Sequence, residues 1–331
     1  MHTAQIVVRH PAELAAAAGS LQALAPNLLV VFGAPEYFAP GTLADTLGGL
    51  FPAATLFGCS TAGEITAQGV DDGTCTVTAV HFDQARLTRG SAVLAGMEDS
   101  FAAGARLARQ LLDPALKAVL VLGPGVQING SALVDGMTSI LGSAIPITGG
   151  LAGDGGAFRR TFTLGHEGVA DDRVVGIGLC GDGVRFAHGS FGGWEPFGPA
   201  RRVTRCAGNV LYELDGEPAL AVYKRYLGDH ARDLPASGLL FPFAMLGDDH
   251  NAIGLIRTIL GVDEASGSLT LAGELNADGY LKLMHASTDK LVNGAEAAAE
   301  AVADMLADRG AGLALLVSCV GRKLVMGGRV D

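Results

Sequence analysis

The feature that most constrains this chain is a unit that occurs twice in its first half. LLVVFGAPEYFAPG leads to LFGCSTAGEI at residues 56–65, and VLVLGPGVQINGS leads to ITGGLAGDG at residues 147–155. Setting Gly33 against Gly123, an offset of 123 − 33 = 90, also pairs Leu43 with Leu133 and Asp45 with Asp135. Gly58 pairs with Gly149 at an offset of 91, and Gly63 with Gly153 and Glu64 with Asp154 at 90 again. Each copy reads as strand, helix, strand, and ends its second strand in a Gly-rich loop carrying a carboxylate. The expected fold is α/β, with two domains of mixed α/β units, the amino-terminal one an internal tandem duplication with mixed sheets. Such loops usually lie close together around a pseudo-symmetry axis, so a shared binding cleft is expected.

Composition narrows the function classes. The 331 residues suffice for two domains and a substantial core. Charged residues make up 17% of the chain, against about 25% in typical domains. With 48 glycines, this suits buried strands joined by tight turns. A net charge of −11 and a pI near 5.1 argue against electrostatic binding to nucleic acid or to an anionic membrane. Cys59, Cys75, Cys180, Cys206 and Cys319 are scattered and contain no CxxC pair, which speaks against a disulfide scaffold or a zinc site. The first residues carry no basic region followed by a long apolar stretch, so a reduced, cytoplasmic protein is expected.

Along the first half, strands are expected at 5–8, 28–32, 54–57, 74–82, 85–94, 119–122, 146–148, 159–164, 174–180 and 184–191, the last pair joined by a Gly181-Asp182-Gly183 hairpin turn. Helices are expected at 11–24, 42–50, 100–112 and 131–141. The Gly- and Pro-rich stretch 191–202 marks the domain boundary, giving domains 1–198 and 199–331. The second domain reads as strands near 203–211, 239–246, 252–260, 269–271 and 280–285, a helix opened by Pro218, and a long helix over 288–308. Glu296, Glu300, Asp304 and Asp308 fall four apart on that last helix, as a solvated face would place them.

Four strings, GCSTAGEI at 58–65, GGLAGDG at 149–155, LYELDGEPALAVYKRYLG at 211–228 and SCVGRK at 318–323, resemble the FIST family of sensory domains, in the family's order and over nearly the whole chain. The resemblance implies a small-molecule-binding input protein of signal transduction, with amino acids or related metabolites as ligands. It also implies a downstream signalling partner such as a kinase, a chemotaxis receptor or a cyclic-dinucleotide enzyme. Some relatives are linked to haem, which makes a haem-binding gas or redox sensor the alternative. Members continue beyond the SCVGRK segment with a further strand and helix. This chain ends at Asp331, so an uncovered sheet edge is expected in the second domain.

The candidate ligand residues follow from the loops. Gly58, Cys59, Ser60, Thr61, Gly63 and Glu64 offer close backbone approach, hydroxyl donors, a thiol and a carboxylate able to receive an ammonium group. Gly149, Gly150 and Asp154 repeat the arrangement without the hydroxyls. Asn129 stands where a strand-to-helix loop can hold an anion at a helix start, and Arg322 is the expected bidentate partner for a ligand carboxylate. Cys59 raises a small enzyme as a further alternative, although the loop lacks the GxSxG spacing of a nucleophile elbow and no base is evident. No metal-ligand spacing appears, and neither a metal nor any other cofactor is expected; for haem, His81, His188 and His285 are the strand-borne axial candidates. Tyr223 and Tyr226 are read as packing residues.

Overall fold

The runs LLVVF and VLVL are apolar at every position, which a strand tolerates only when both of its faces are covered. In the computed structural model, which describes residues 1–247, 252–307 and 312–330, both runs are inner strands of their sheets. The first unit contains β1 (His2–Val8), α1 (Leu14–Gly19), β2 (Leu28–Gly33), α2 (Pro35–Phe38), α3 (Thr42–Leu50), β3 (Thr55–Ser60), a hairpin of β4 (Glu64–Thr66) and β5 (Gly69–Asp71), and β6 (Cys75–His81). The second contains β7 (Arg86–Val93), α4 (Ser100–Leu111), β8 (Leu116–Gly123), α5 (Gly130–Leu141), β9 (Ile147–Leu151), a hairpin of β10 (Thr163–Gly165) and β11 (Gly168–Ala170), and β12 (Arg173–Cys180).

The two sheets share one plan. The first runs β1-β6-β2-β3-β10-β11 and the second β7-β12-β8-β9. Each holds one parallel pair, β2 with β3 and β8 with β9, and the other pairings are antiparallel. The hairpins break the match: β4 and β5 pair only with each other, whereas β10 crosses over to join β3 of the first unit.

Strand periodicity sorts the apolar side chains into layers. Leu29, Val31 and Val77 pack with the helices of the first unit, and Val119, Val121 and Val174 pack with α4 and α5. The alternate residues Leu28, Val30 and Phe57 meet Leu120, Val175 and Ile177 from the other sheet. The result is a four-layer arrangement of helices, sheet, sheet and helices. Val31 pairs with Gly58, and Val121 with Gly149. A Cβ at either glycine would overlap the carbonyl oxygen of its paired valine, so the same close approach explains the same glycine in both units.

The third sheet runs β18-β17-β21-β14-β15-β20-β19. Its members are β13 (Glu195–Pro196), β14 (Arg201–Ala207), β15 (Val210–Leu214), β16 (Glu217–Pro218), β17 (Phe243–Leu246), β18 (Ala252–Arg257), β19 (Ile259–Asp263), β20 (Ser268–Leu271) and β21 (Tyr280–His285), with β13 joined to β21 and β16 to β15. Helix α6 (Ala219–Leu227) buries Leu220, Tyr223 and Leu227 against Val203, Leu211 and Phe243. The Tyr223 hydroxyl donates to the Phe241 carbonyl, and Tyr226 receives Arg201. Helices α7 (Thr288–Leu306) and α8 (Val320–Met326) follow. Among the described residues no strand covers the outer edges of β18 or β19. Residues 313–319 lie outside any helix or strand, with Leu313 and Leu315 against the inter-sheet core.

Several expected elements differ. Residues 184–191 form no strand, because β12 already has β7 and β8 on its two edges and leaves no place for a hairpin partner. The expected helix over 11–24 breaks at Gly19-Ser20 into α1 flanked by short 3-10 turns. The expected strand over 159–164 is confined to β10, since Asp154 holds the preceding residues in a loop. Residues 203–211 belong to a hairpin turning at Gly208, where φ is +56°. The stretch 236–240 is a 3-10 turn, and β17 begins only after Pro242, which has no N–H for a ladder. Residues 252–260 divide at Thr258 between β18 and β19, on opposite ends of the sheet. Ser287 caps α7, on which Glu296, Glu300 and Asp304 are exposed; Asp308 lies outside the described residues.

Candidate functional site

The two Gly-rich loops meet. Ser60, fully buried at the end of β3, accepts from the Gly153 amide through its carbonyl at 2.8 Å and donates its hydroxyl to the Gly153 carbonyl at 2.8 Å. The same hydroxyl accepts from the Phe162 amide at 2.9 Å. A Cβ at Gly153 would lie 3.0 Å from the Ala62 nitrogen, so the loops close on each other and leave no cleft between these residues.

The carboxylates of the two loops are used within the protein. Glu64 is 2% exposed. It accepts from the Thr61 hydroxyl, and from the Thr74 hydroxyl at 2.5 Å and amide at 3.3 Å. Burial pushes its pKa up, with those hydrogen bonds opposing the shift. Asp154 accepts from the amides of Phe158, Arg159 and Arg160 at 3.1, 2.7 and 3.2 Å, fixing the loop that follows β9. Gly150 faces Val317 from the segment before α8. Arg322 spans the carbonyls of Gly192 and Leu291, at 3.1 and 2.8 Å, far along the chain from either loop. The cation that reaches the first loop is its neighbour Lys323, which donates to the Ala62 carbonyl at 2.7 Å and pairs with Asp72, beside Gly63.

Asn129 caps α5, its side-chain oxygen accepting from the Ala132 amide at 3.2 Å. Its side-chain nitrogen donates to Glu274 of the second domain at 2.8 Å. The helix start is thereby joined to the other domain, whose buried Arg257 holds the Glu274 carbonyl at 2.7 Å.

A cavity of about 260 Å³ opens at the carboxyl end of β8. That is the place where open α/β sheets present their ligands. Pro124, Val126 and Gln127 form one wall, and Arg159, Arg160, Asp171 and Asp172 supply charges of both signs. Arg160 pairs with Asp171 at 2.6 Å and lies 4.9 Å above the Phe162 ring. Arg159 forms no ion pair among the described residues. Gln127 holds φ at +56°, a conformation rare outside glycine and found preferentially at functional sites. Thr161, also at the wall, accepts from the Gly125 amide at 2.7 Å. Thus the second Gly-rich loop serves the cavity through Asp154, which orders the two arginines, while Gly58, Cys59, Ser60, Thr61, Gly63 and Glu64 do not line it. Sequence reasoning missed the arginine pair and the Asp171-Asp172 turn. The signal was an Arg-Arg pair directly after the loop.

The Cys59 thiol is buried in the inter-sheet core, and burial pushes its pKa up to about 12, the reverse of nucleophile activation. The three histidines expected as axial candidates for a haem stand apart from the cavity. His81 is engaged with the Ala25 carbonyl, His188 lies against Phe186 on an exposed loop, and His285 abuts Phe197; none lines this cavity. Among the described residues, no group of three or more metal-ligating side chains occurs, and no helix is long and apolar enough to cross a membrane.

Comparison with known proteins bears on this geometry. The FIST N domain model matches residues 27–217 and the FIST C domain model matches residues 219–331. An uncharacterized protein of Methanocaldococcus jannaschii is 42% identical over 83 residues, which are 25% of this chain and 15% of that protein's length. A cyanuric acid hydrolase from A. caulinodans has a TM-score of 0.29 and 11% identity, over 56% of this chain and 68% of that one, a likeness too slight to carry an argument. The family models together cover nearly the whole sequence, and the chain belongs to the FIST family, whose domains are associated with small-ligand binding in sensory signal transduction.

Proposed function

We propose that this protein is a sensory input module whose ligand is a small zwitterion of the amino-acid type, held in the cavity at the carboxyl end of β8. The observation that carries the reading is the gathering of opposite charges in one small space: Arg159, Arg160, Asp171 and Asp172 all line the cavity, with Arg160 paired to Asp171 and Arg159 and Asp172 beside them. A guanidinium receives a carboxylate in bidentate fashion, and an aspartate receives an ammonium group. The volume of about 260 Å³ lies below the roughly 300–1,000 Å³ of drug-sized sites, which suits a metabolite better than a macrocycle.

The output is conformational rather than catalytic. Gln127, at the cavity wall, is separated by one residue from Asn129, which carries the hydrogen bond to Glu274 of the second domain. A ligand that prefers one arrangement of the 124–129 loop shifts the balance of that interdomain contact. A separate signalling protein reads the shift. The test is a thermal-shift screen of amino acids and related zwitterions on wild type, Arg159→Ala and Asp172→Ala. A selective hit lost in both variants supports the reading. Hits retained in both, or none among folded samples, remove it.

A further inference from the structure

The first unit holds a cavity of its own, whose lining corresponds to that of the other cavity only in part. It measures about 210 Å³ and lies at the carboxyl end of β2, bounded by α2, α3 and the turn preceding α1. Its Glu36 and Tyr37 stand at the positions that Val126 and Gln127 occupy in the other cavity under the offset of 123 − 33 = 90. The chemistry differs. No lysine or arginine lines this cavity, and Glu36 is its single carboxylate. Pro11, Leu14, Ala15, Pro40 and Leu43 make the walls mostly apolar, with Thr42 and Thr46 adding two hydroxyls.

We infer that this cavity is a separate binding site for a small primary amine with an apolar body, the ammonium group held by Glu36. Three observations lead there. Glu36 forms no ion pair or hydrogen bond among the described residues, so its charge is available to a ligand. The Tyr37 hydroxyl donates to the Val8 carbonyl at 2.9 Å, which removes it as a competing partner for that charge. The phenol is also pushed up to about 12, by burial first and then by Cys75, Glu36, Glu64 and Glu13, so it adds no charge of its own to the cavity. A single carboxylate does not make a divalent-metal site, which takes several hard oxygen ligands. The volume equals about seven waters at roughly 30 Å³ each, enough for a branched alkyl amine of a few carbons.

The inference does not depend on the Arg159 cavity, and the experiment separates the two. The full chain is titrated with isopentylamine and followed by amide chemical shifts. Saturable shifts are expected at residues 36–46, with an affinity weakened by about tenfold in Glu36→Gln, where a charge-assisted hydrogen bond is lost. Ala15→Phe, which fills the space from an exposed position, should abolish them, and Arg159→Ala should leave them unchanged. Equal affinity in wild type and Glu36→Gln overturns the assignment. So does an absence of saturable shifts at 36–46 in folded wild-type protein.

Discussion

Replacing Ser60 by alanine is the most informative structural perturbation, because one hydroxyl joins three pieces of the chain. It donates to the Gly153 carbonyl at 2.8 Å and accepts from the Phe162 amide at 2.9 Å, in a residue with no exposure. The Ser60→Ala change removes both bonds and leaves the Phe162 N–H buried without an acceptor. One lost hydrogen bond is worth about 1 kcal/mol and an orphaned buried donor about 1–3 kcal/mol, so the expected loss is about 2–4 kcal/mol. For a cooperative unit of about 200 residues, each kcal/mol moves Tm by about 2–4 °C, giving a fall of about 4–16 °C. Calorimetry reads this directly, with Ser190→Ala on an exposed loop as the control, expected within about 0.5 kcal/mol of wild type. A loss for Ser60→Ala no larger than the control's would refute the claim that this hydroxyl fastens the two units. If Ser60 instead served a ligand, binding would fall while stability held.

Further consequences concern other parts of the architecture. Gly149→Ala should cost about 1–3 kcal/mol or more, since the added Cβ overlaps the Val121 carbonyl and the strands must separate; denaturant melts with an unchanged midpoint would contradict this. Glu64 has a raised native pKa relative to its ordinary 4.5, so the stability it contributes is full below that value and is lost as pH rises through the native one. Glu64→Gln does not titrate there, so wild type should gain on the variant as pH falls from neutral; urea midpoints that run parallel across that range would refute the sign. Glu274→Ala lies outside the cavity lining, yet by reciprocity it should change zwitterion affinity by about fivefold or more if the interdomain bond carries the signal. Calorimetric titration that finds the same Kd would break that link.

Much of the fold was legible because strand burial leaves a strong trace in sequence. The continuous apolar runs of β2 and β8 anticipated buried strands in mixed sheets of an α/β fold. The crossing of β10 to β3 was not legible, since a three-residue strand carries no periodicity and its partner lies over one hundred residues earlier. The site divided in the same way. Asn129 could be read as a helix start because the cap is local. Glu64 could not be read as buried, because that depends on Thr74, ten residues away across a hairpin. Arg322 and Lys323 are adjacent in sequence, and only the orientation of α8 decides that Lys323 points to the first loop.

The central claim is that a zwitterion in the Arg159 cavity alters the contact between α5 and the second domain. Hydrogen exchange with and without a hit from the amino-acid screen tests it most directly. The account predicts slowed exchange at residues 124–132 and 159–161, together with a changed rate at residues 272–275 around Glu274. Protection confined to residues 58–64, or a ligand effect that leaves 272–275 unchanged, would contradict it.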